Sequence, residues 1–196
     1  LPILRSAAAE RRPPVAVLPH LLRAAEAAVP RPVLSLTLRI TPTHAIHTET
    51  HMPGRAILTQ RFEFAAAHRL HSPTLSDEEN RLVFGKCNNP AGHGHNYVIE
   101  PRVEIGVRDD GGSMSLRELE AIVSRSLIEP FDHKHLNVDT AEFRDGSGLN
   151  PTVENIARVF YRLLAPEIAR AGSDARLTSI KVWETDRTSA EYGEPA

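Results

Sequence analysis

Cys87-Asn88-Asn89-Pro90-Ala91-Gly92-His93-Gly94-His95-Asn96-Tyr97 is the stretch around which this chain is organised. It holds the only cysteine of the 196 residues and two histidines one residue apart. Side chains alternate across a strand with period two, so a His-x-His pair at a strand start puts both imidazoles on one face. Gly92 and Gly94 leave room for the backbone to bend and for a ligand to come close. The third candidate ligand is His68. Phe62, Phe64, Ala66, His68 and Leu70 share one parity and read as an apolar strand face carrying one imidazole. If this strand pairs with the one beginning at His95, His68, His93 and His95 converge. Three neutral nitrogen ligands with an open fourth position describe a catalytic zinc site, whereas a structural site is closed by four protein ligands. The Cys-x5-His-x-His spacing also differs from zinc-finger spacing. Read singly, each histidine is a hydrogen-bonded core or surface residue and Cys87 a small buried hydrophobe; the grouping is what favours a metal.

Length suggests one domain with an appendage. Hydrophobic residues make up 41% and charged residues 24%, the balance of a soluble globular chain. A formal net charge of −2 argues against a general nucleic-acid or membrane-surface binder. One cysteine forms no internal disulfide, which gives an oxidising compartment no support and leads to the expectation of a cytoplasmic protein. No apolar run reaches membrane-spanning length. Aromatic residues are only 5%, so the core is expected to come mainly from Val, Leu, Ile and Ala.

Residues 1–51 carry seven of the 15 prolines, none of the 11 glycines and three of the 25 acidic residues. Leu21 to Val29 could form a helix and Val33 to Ile40 a strand, but the proline spacing argues against a compact core. Met52-Pro53-Gly54 precedes the first well-patterned strand. The expectation is a poorly structured extension or upstream read-through over 1–51 and a functional domain over 52–196.

Beyond His68 the reading is a polar loop, His71 to Arg81, then a second strand from His95 to Val107. Pro101 should mark a bulge or an edge. Ser115-Leu116-Arg117-Glu118 is a capping box opening a helix whose apolar face is Leu116, Leu119, Ile122, Val123 and Leu127, ended by Pro130. A second helix starts at Thr152 with Val153, Ile156, Phe160, Leu163 and Leu164 as its stripe, weakening at Pro166. Arg176 to Thr185 reads as a strand and Ala190 to Tyr192 as a short last one. Strands flanking a pair of helices argue an α+β fold with an antiparallel four-stranded sheet and both helices on one face.

Phe64-Ala65-Ala66-Ala67-His68-Arg69-Leu70-His71-Ser72-Pro73, Glu79-Asn80, Val83-Phe84-Gly85-Lys86-Cys87-Asn88-Asn89-Pro90 and Gly92-His93-Gly94-His95-Asn96-Tyr97 resemble the 6-pyruvoyl- and 6-carboxy-tetrahydropterin synthase family. So do Asp132-His133-Lys134, Thr152-x-Glu154-Asn155 and Val182-x-Glu184-Thr185-Asp186. The resemblance spans about residues 57–192. It implies the tunnelling fold, in which subunits join through a β-barrel into trimers and hexamers with shared active sites. It implies a lyase acting on 7,8-dihydroneopterin triphosphate, with zinc as cofactor and Mg2+ a candidate companion of the triphosphate. It assigns His68, His93 and His95 to zinc, and Cys87, Asp132 and His133 to a catalytic triad built across a subunit interface. Glu184 would hold the pterin, with Thr152 and Glu154 as neighbours of that pocket. No nucleic-acid or membrane partner is implied.

The chemistry suits these residues. Zinc on the substrate hydroxyls would act as a Lewis acid while protons leave adjacent carbons. A thiolate can serve as base where neighbouring positive charge lowers its pKa, and Asp132 would orient His133 as a relay. A carboxylate matches the two N–H groups of an amino-pyrimidinone edge. Lys86, Arg69 and His71 are candidates for the triphosphate, and His135 is unassigned. The long Cys87-to-His93 loop leans toward the pyruvoyl product, while Thr188-Ser189-Ala190-Glu191-Tyr192 looks like the carboxy branch of queuosine synthesis, which also releases acetaldehyde. A reading of another class is a non-catalytic zinc- or pterin-binding oligomer.

Overall fold

The structure, a computed structural model, describes residues 12–144, 149–172 and 174–194. In chain order its first elements are α1 (Pro14–Ala28), β1 (Ser35–Arg39), β2 (His44–Glu49), β3 (Arg55–Gln60), β4 (Phe62–His68), α2 (Asp77–Phe84), β5 (His93–Arg108) and β6 (Gly111–Gly112). Next come α3 (Leu116–Val123), α4 (Glu129–Phe131), β7 (Lys134–His135), α5 (Leu136–Asp139), α6 (Val153–Ala171), β8 (Ala175–Trp183) and β9 (Ser189–Tyr192). The chain divides into two compact units, one of residues 1–61, 101–121 and 165–178, the other of residues 62–100, 122–164 and 179–196.

In the first unit β1 pairs with β2, β2 with β3, and β3 with residues 102–106 of β5, all antiparallel. This corrects the expectation for residues 1–51: among their described part lie a helix and two strands. Pro14 occupies the first helical turn, where its missing N–H has no partner to lose. Pro30, Pro32 and Pro42 fall between elements. Pro19 lies inside α1, where it removes one backbone bond. Burial of Val15, Ala16, Val17, Leu18 and Leu21 opposes that loss. Leu36 and Leu38 alternate along β1 and pack against Val17 and Leu21. The hairpin β1–β2 also takes the molecule beyond the four strands expected. Arg55, on β3, joins the carboxylates of Glu104 and Asp174, and Arg176 joins Glu104 from β8.

The second unit holds every candidate site residue. Residues 93–99 of β5 pair antiparallel with β4, and β7 lies parallel beside β4. β8 and β9 form a hairpin from Ile180↔Tyr192 to Trp183↔Ser189. Pro101 stands between the β5 segments that pair with β4 and with β3, where neither register claims it. Most buried side chains here are Ile, Leu, Val and Ala, as expected from composition, and they surround an aromatic cluster: Phe64 stacks on Tyr97 at 4.9 Å, and Phe160 meets both Phe64 and Phe131.

Residues 77–81, expected as loop, begin α2, which runs on to Phe84. Ser76 caps it: the Glu79 N–H donates to Ser76 Oγ at 3.2 Å and the Ser76 N–H donates to Glu79 Oε2 at 2.7 Å. Two of its three apolar residues face outward, Leu82 being 86% and Val83 62% exposed, so no buried stripe marks the helix in the sequence. Of the other two helices, the first ends at Phe131, one residue after Pro130, and the second continues through Pro166 to Ala171. α3 passes through a π-helical stretch, Ser124–Ile128, into α4, which contains Pro130. Pro166 lies within α6, flanked by the buried Leu164 and Ile168.

Candidate active site and metal centre

The β4–β5 register sets His68 opposite His93 and Ala66 opposite His95, so all three imidazoles stand on one face, beyond the Phe64–Tyr97 pair. Their ring centroids are 4.6, 5.2 and 4.7 Å apart, and one ligand atom from each lies within 4.8 Å of the others. The three histidines can therefore hold a metal ion, as expected from the spacing. His68 is fully buried and its Nδ1–H donates to the Pro151 carbonyl at 2.8 Å, which leaves Nε2 bare and facing His93 Nε2 at 3.2 Å. Burial pushes the His68 imidazole down to about 4, with His93 and His95 acting the same way. Burial and His95 also lower His93. Neutral rings are the metal-binding form. His95 Nε2 and His93 Nδ1 are buried without a hydrogen-bond partner among the described residues. Orphaned ring nitrogens of this kind fit a site built for a cation.

Cys87 sits in a 3-10 turn, Gly85–Asn88, that is tied to the end of β4. The Leu70 N–H donates to the Cys87 carbonyl at 2.8 Å, and Asn88 Nδ2 donates to the Leu70 carbonyl at 2.7 Å. Burial, and then the Glu184 carboxylate, push the Cys87 thiol up. A thiolate there needs positive charge nearby, which the protein's own neutral histidines do not provide. Gly92 has φ +71°, and a Cβ on it would come within 2.5 Å of His135 Nε2 and 3.0 Å of the His68 carbonyl. Its freedom serves this close packing rather than ligand access. His135, unassigned from sequence, thus packs against the turn that delivers His93.

Asp132 and His133 form their expected pair. Asp132 Oδ1 accepts the Ala65 N–H at 2.8 Å, and Asp132 Oδ2 lies 2.8 Å from His133 Nδ1. These two contacts, the Ala65 N–H first, hold the Asp132 carboxyl below its usual range. His133 has φ +57°, a strained region for a side chain that bears Cβ, and its N–H donates to the Ala65 carbonyl at 2.6 Å. The ring itself is 82% exposed. No hydrogen bond or ion pair among the described residues joins Cys87 to Asp132 or His133.

Glu184 follows β8, whose Ile180 and Val182 are fully buried. Its Oε1 lies 3.3 Å from His68 Nε2 and 3.8 Å from His95 Nε2. Thr152 Oγ1 accepts the Asn155 N–H at 3.4 Å and so caps α6, while Glu154 is exposed in the first turn. Sequence reasoning missed the asparagines that frame the site. Asn137 brackets Arg69 by accepting its N–H at 2.8 Å and donating to its carbonyl at 3.0 Å. Asn150 accepts the His71 N–H at 2.9 Å. Their partners are some 70 to 80 residues away in sequence, so no local pattern announces them.

Of the triphosphate candidates, Arg69 and Lys86 line a cavity of about 400 Å³ together with Arg81 and Asp77. His71 turns instead to Arg69 and Asn88, at 3.3 and 3.1 Å. No ion pair among the described residues engages Arg81 or Lys86.

A profile of the 6-pyruvoyl tetrahydropterin synthase family matches residues 57–195. The 6-pyruvoyl tetrahydrobiopterin synthase of Homo sapiens is 38% identical over 139 residues, covering 70% of this chain and 91% of that protein. The 6-carboxy-5,6,7,8-tetrahydropterin synthase of Aquifex aeolicus is 26% identical, covering 70% of this chain and 97% of that protein. Among solved structures, Caenorhabditis elegans 6-pyruvoyl tetrahydropterin synthase matches with a TM-score of 0.64 and 33% identity over 72% of this chain and 96% of its own.

Proposed function

This chain belongs to the 6-pyruvoyl tetrahydropterin synthase family, and we propose that it converts 7,8-dihydroneopterin triphosphate to 6-pyruvoyl-tetrahydropterin with loss of triphosphate. The observation that carries this reading is the convergence of His68, His93 and His95 beside the pinned Cys87 turn. The reaction class is that of a carbon–oxygen lyase. His68, His93 and His95 would hold zinc, which supplies Lewis-acid polarisation of the substrate's side-chain hydroxyls. Cys87 removes a proton from a carbon bearing one of them. Asp132 fixes the tautomer of His133, which carries protons between substrate and solvent. Glu184 accepts the two N–H groups of the pterin edge, with Thr152 and Glu154 beside it.

His133 is exposed and locked by Asp132 and Ala65, so it is presented outward. Its partner cysteine then belongs to a second copy, in a trimer or hexamer with shared sites. The outward-facing Leu82 and Val83 are apolar side chains that such an assembly would cover. No helix among the described residues is long and apolar enough to cross a membrane.

The triphosphate fits the cavity of Arg69, Arg81 and Lys86, with Mg2+ as its companion. Charge-assisted bonds contribute about 1.5–3 kcal/mol each, so Arg81→Ala and Lys86→Ala are each expected to raise KM for the triphosphate substrate about tenfold or more. Affinity for dephosphorylated 7,8-dihydroneopterin should stay unchanged. An equal loss for both ligands would place the triphosphate elsewhere.

The deciding experiment incubates the zinc-loaded protein and Mg2+ with 7,8-dihydroneopterin triphosphate and identifies the products by mass spectrometry. A 6-pyruvoyl product without acetaldehyde is expected. A 6-carboxy product with acetaldehyde would move the chain to the other branch, and no turnover with zinc bound would leave a binding protein.

A further inference from the structure

Glu184 is poorly placed for a carboxylate whose sole task is to hold the pterin. The His68 Nδ1–H is committed to the Pro151 carbonyl, so His68 Nε2 is an acceptor. Glu184 Oε1 is also an acceptor, and the two stand 3.3 Å apart with His93 Nε2 3.2 Å from the same nitrogen. His95 Nε2, 3.8 Å from Glu184 Oε1, is buried with no donor partner among the described residues. His68 Nε2 and Glu184 Oε1 are thus two acceptors in contact, and they repel unless a cation lies between them. Zinc bonds of about 2.0–2.1 Å in a tetrahedron put neighbouring ligand atoms about 3.3 Å apart. The separations of His68 Nε2 from His93 Nε2 and from Glu184 Oε1 match that edge.

We infer that Glu184 is the fourth ligand of the metal in the substrate-free protein and leaves it when substrate binds. The inference rests on the metal and pterin roles proposed above. It joins two duties of one side chain. Without substrate, Glu184 closes the coordination sphere and keeps the site from acting on other hydroxyl compounds. An incoming pterin offers two parallel N–H donors, which draw the carboxylate away and free a metal position for the substrate hydroxyls. The coordination site then opens only to molecules that carry the recognised edge, so Glu184 governs specificity as well as binding.

An ordinary ion pair between Glu184 and a protonated His68 is the competing account. It would place an imidazolium in a fully buried ring with two further imidazoles against it.

Cobalt(II) titration of the metal-free full chain tests this without turnover. Wild-type protein should give the intense visible absorption of four-coordinate cobalt. Addition of 7,8-dihydroneopterin should change the spectrum. Glu184→Gln should bind cobalt and zinc at least tenfold more weakly, with an altered spectrum and no response to the pterin. The tenfold floor is the loss typical of groups that only orient metal ligands. Glu184→Asp, which keeps the charge but withdraws the oxygen by one methylene, should show the same weakening. Full recovery of affinity in Glu184→Asp, or wild-type affinity and spectrum in Glu184→Gln, would overturn the inference. A wild-type spectrum indifferent to the pterin would overturn the release step. Wild-type protein that binds no metal would sink the proposed function itself, a distinct result.

Discussion

Cys87→Ala should lower kcat about 10²–10⁴-fold, the range for losing a positioned proton-transfer group. The fold and zinc content should be unchanged. The separation is possible because Cys87 is held through its backbone: its carbonyl accepts the Leu70 N–H, and Asn88 supplies the second tie. Alanine keeps both. The three histidines are carried by β4 and β5 rather than by the cysteine turn, so the metal site survives the change. Steady-state kinetics together with zinc analysis and circular dichroism would check all three points. Retention of more than half the wild-type turnover would remove Cys87 from the chemistry. Loss of zinc along with turnover would make it a ligand instead.

In the metal-free protein, stability should fall by about 3 kcal/mol as pH drops from above 6.5 through 4, on the scale of 1.36 kcal/mol per unit of pKa. His68 is the source, since burial pushes it from its ordinary 6.5 to about 4. Between those values the unfolded chain binds the proton that the folded chain refuses. The contribution is therefore complete above pH 6.5 and is lost on acidification through pH 4. The lowered His93 has the same sign. The depressed Asp132 adds a further loss in the more acid window below its ordinary 3.8. Urea midpoints measured with chelator across this range would show the slope, and His68→Asn should flatten most of it. A wild-type midpoint constant between pH 7 and 4.5 would mean that His68 is not held neutral by burial. Zinc should delay the loss, because a proton must then displace a metal.

The sequence alone determined what depends on spacing. His93 and His95 share a face because they are two residues apart, and Phe64, Ala66 and His68 share one for the same reason. Antiparallel pairing of β4 with β5 then brings the three rings together, as that alternation requires. The Ser115 capping box and the α6 stripe were legible for equally local reasons. The poor structure expected before Met52 and the loop expected at the start of α2 failed where local signals conflicted with packing. The described prolines before Met52 lie mostly between elements, and Leu82 and Val83 of α2 face outward. Tertiary structure alone decided the tie between His68 and Pro151, the bracket of Asn137 on Arg69, the seat of His135 over Gly92, and the approach of Glu184 to His68 and His95. Each joins residues far apart in the chain through one or two hydrogen bonds or close contacts. Such contacts follow from where the folded backbone brings its strands, and no periodicity in the sequence encodes them.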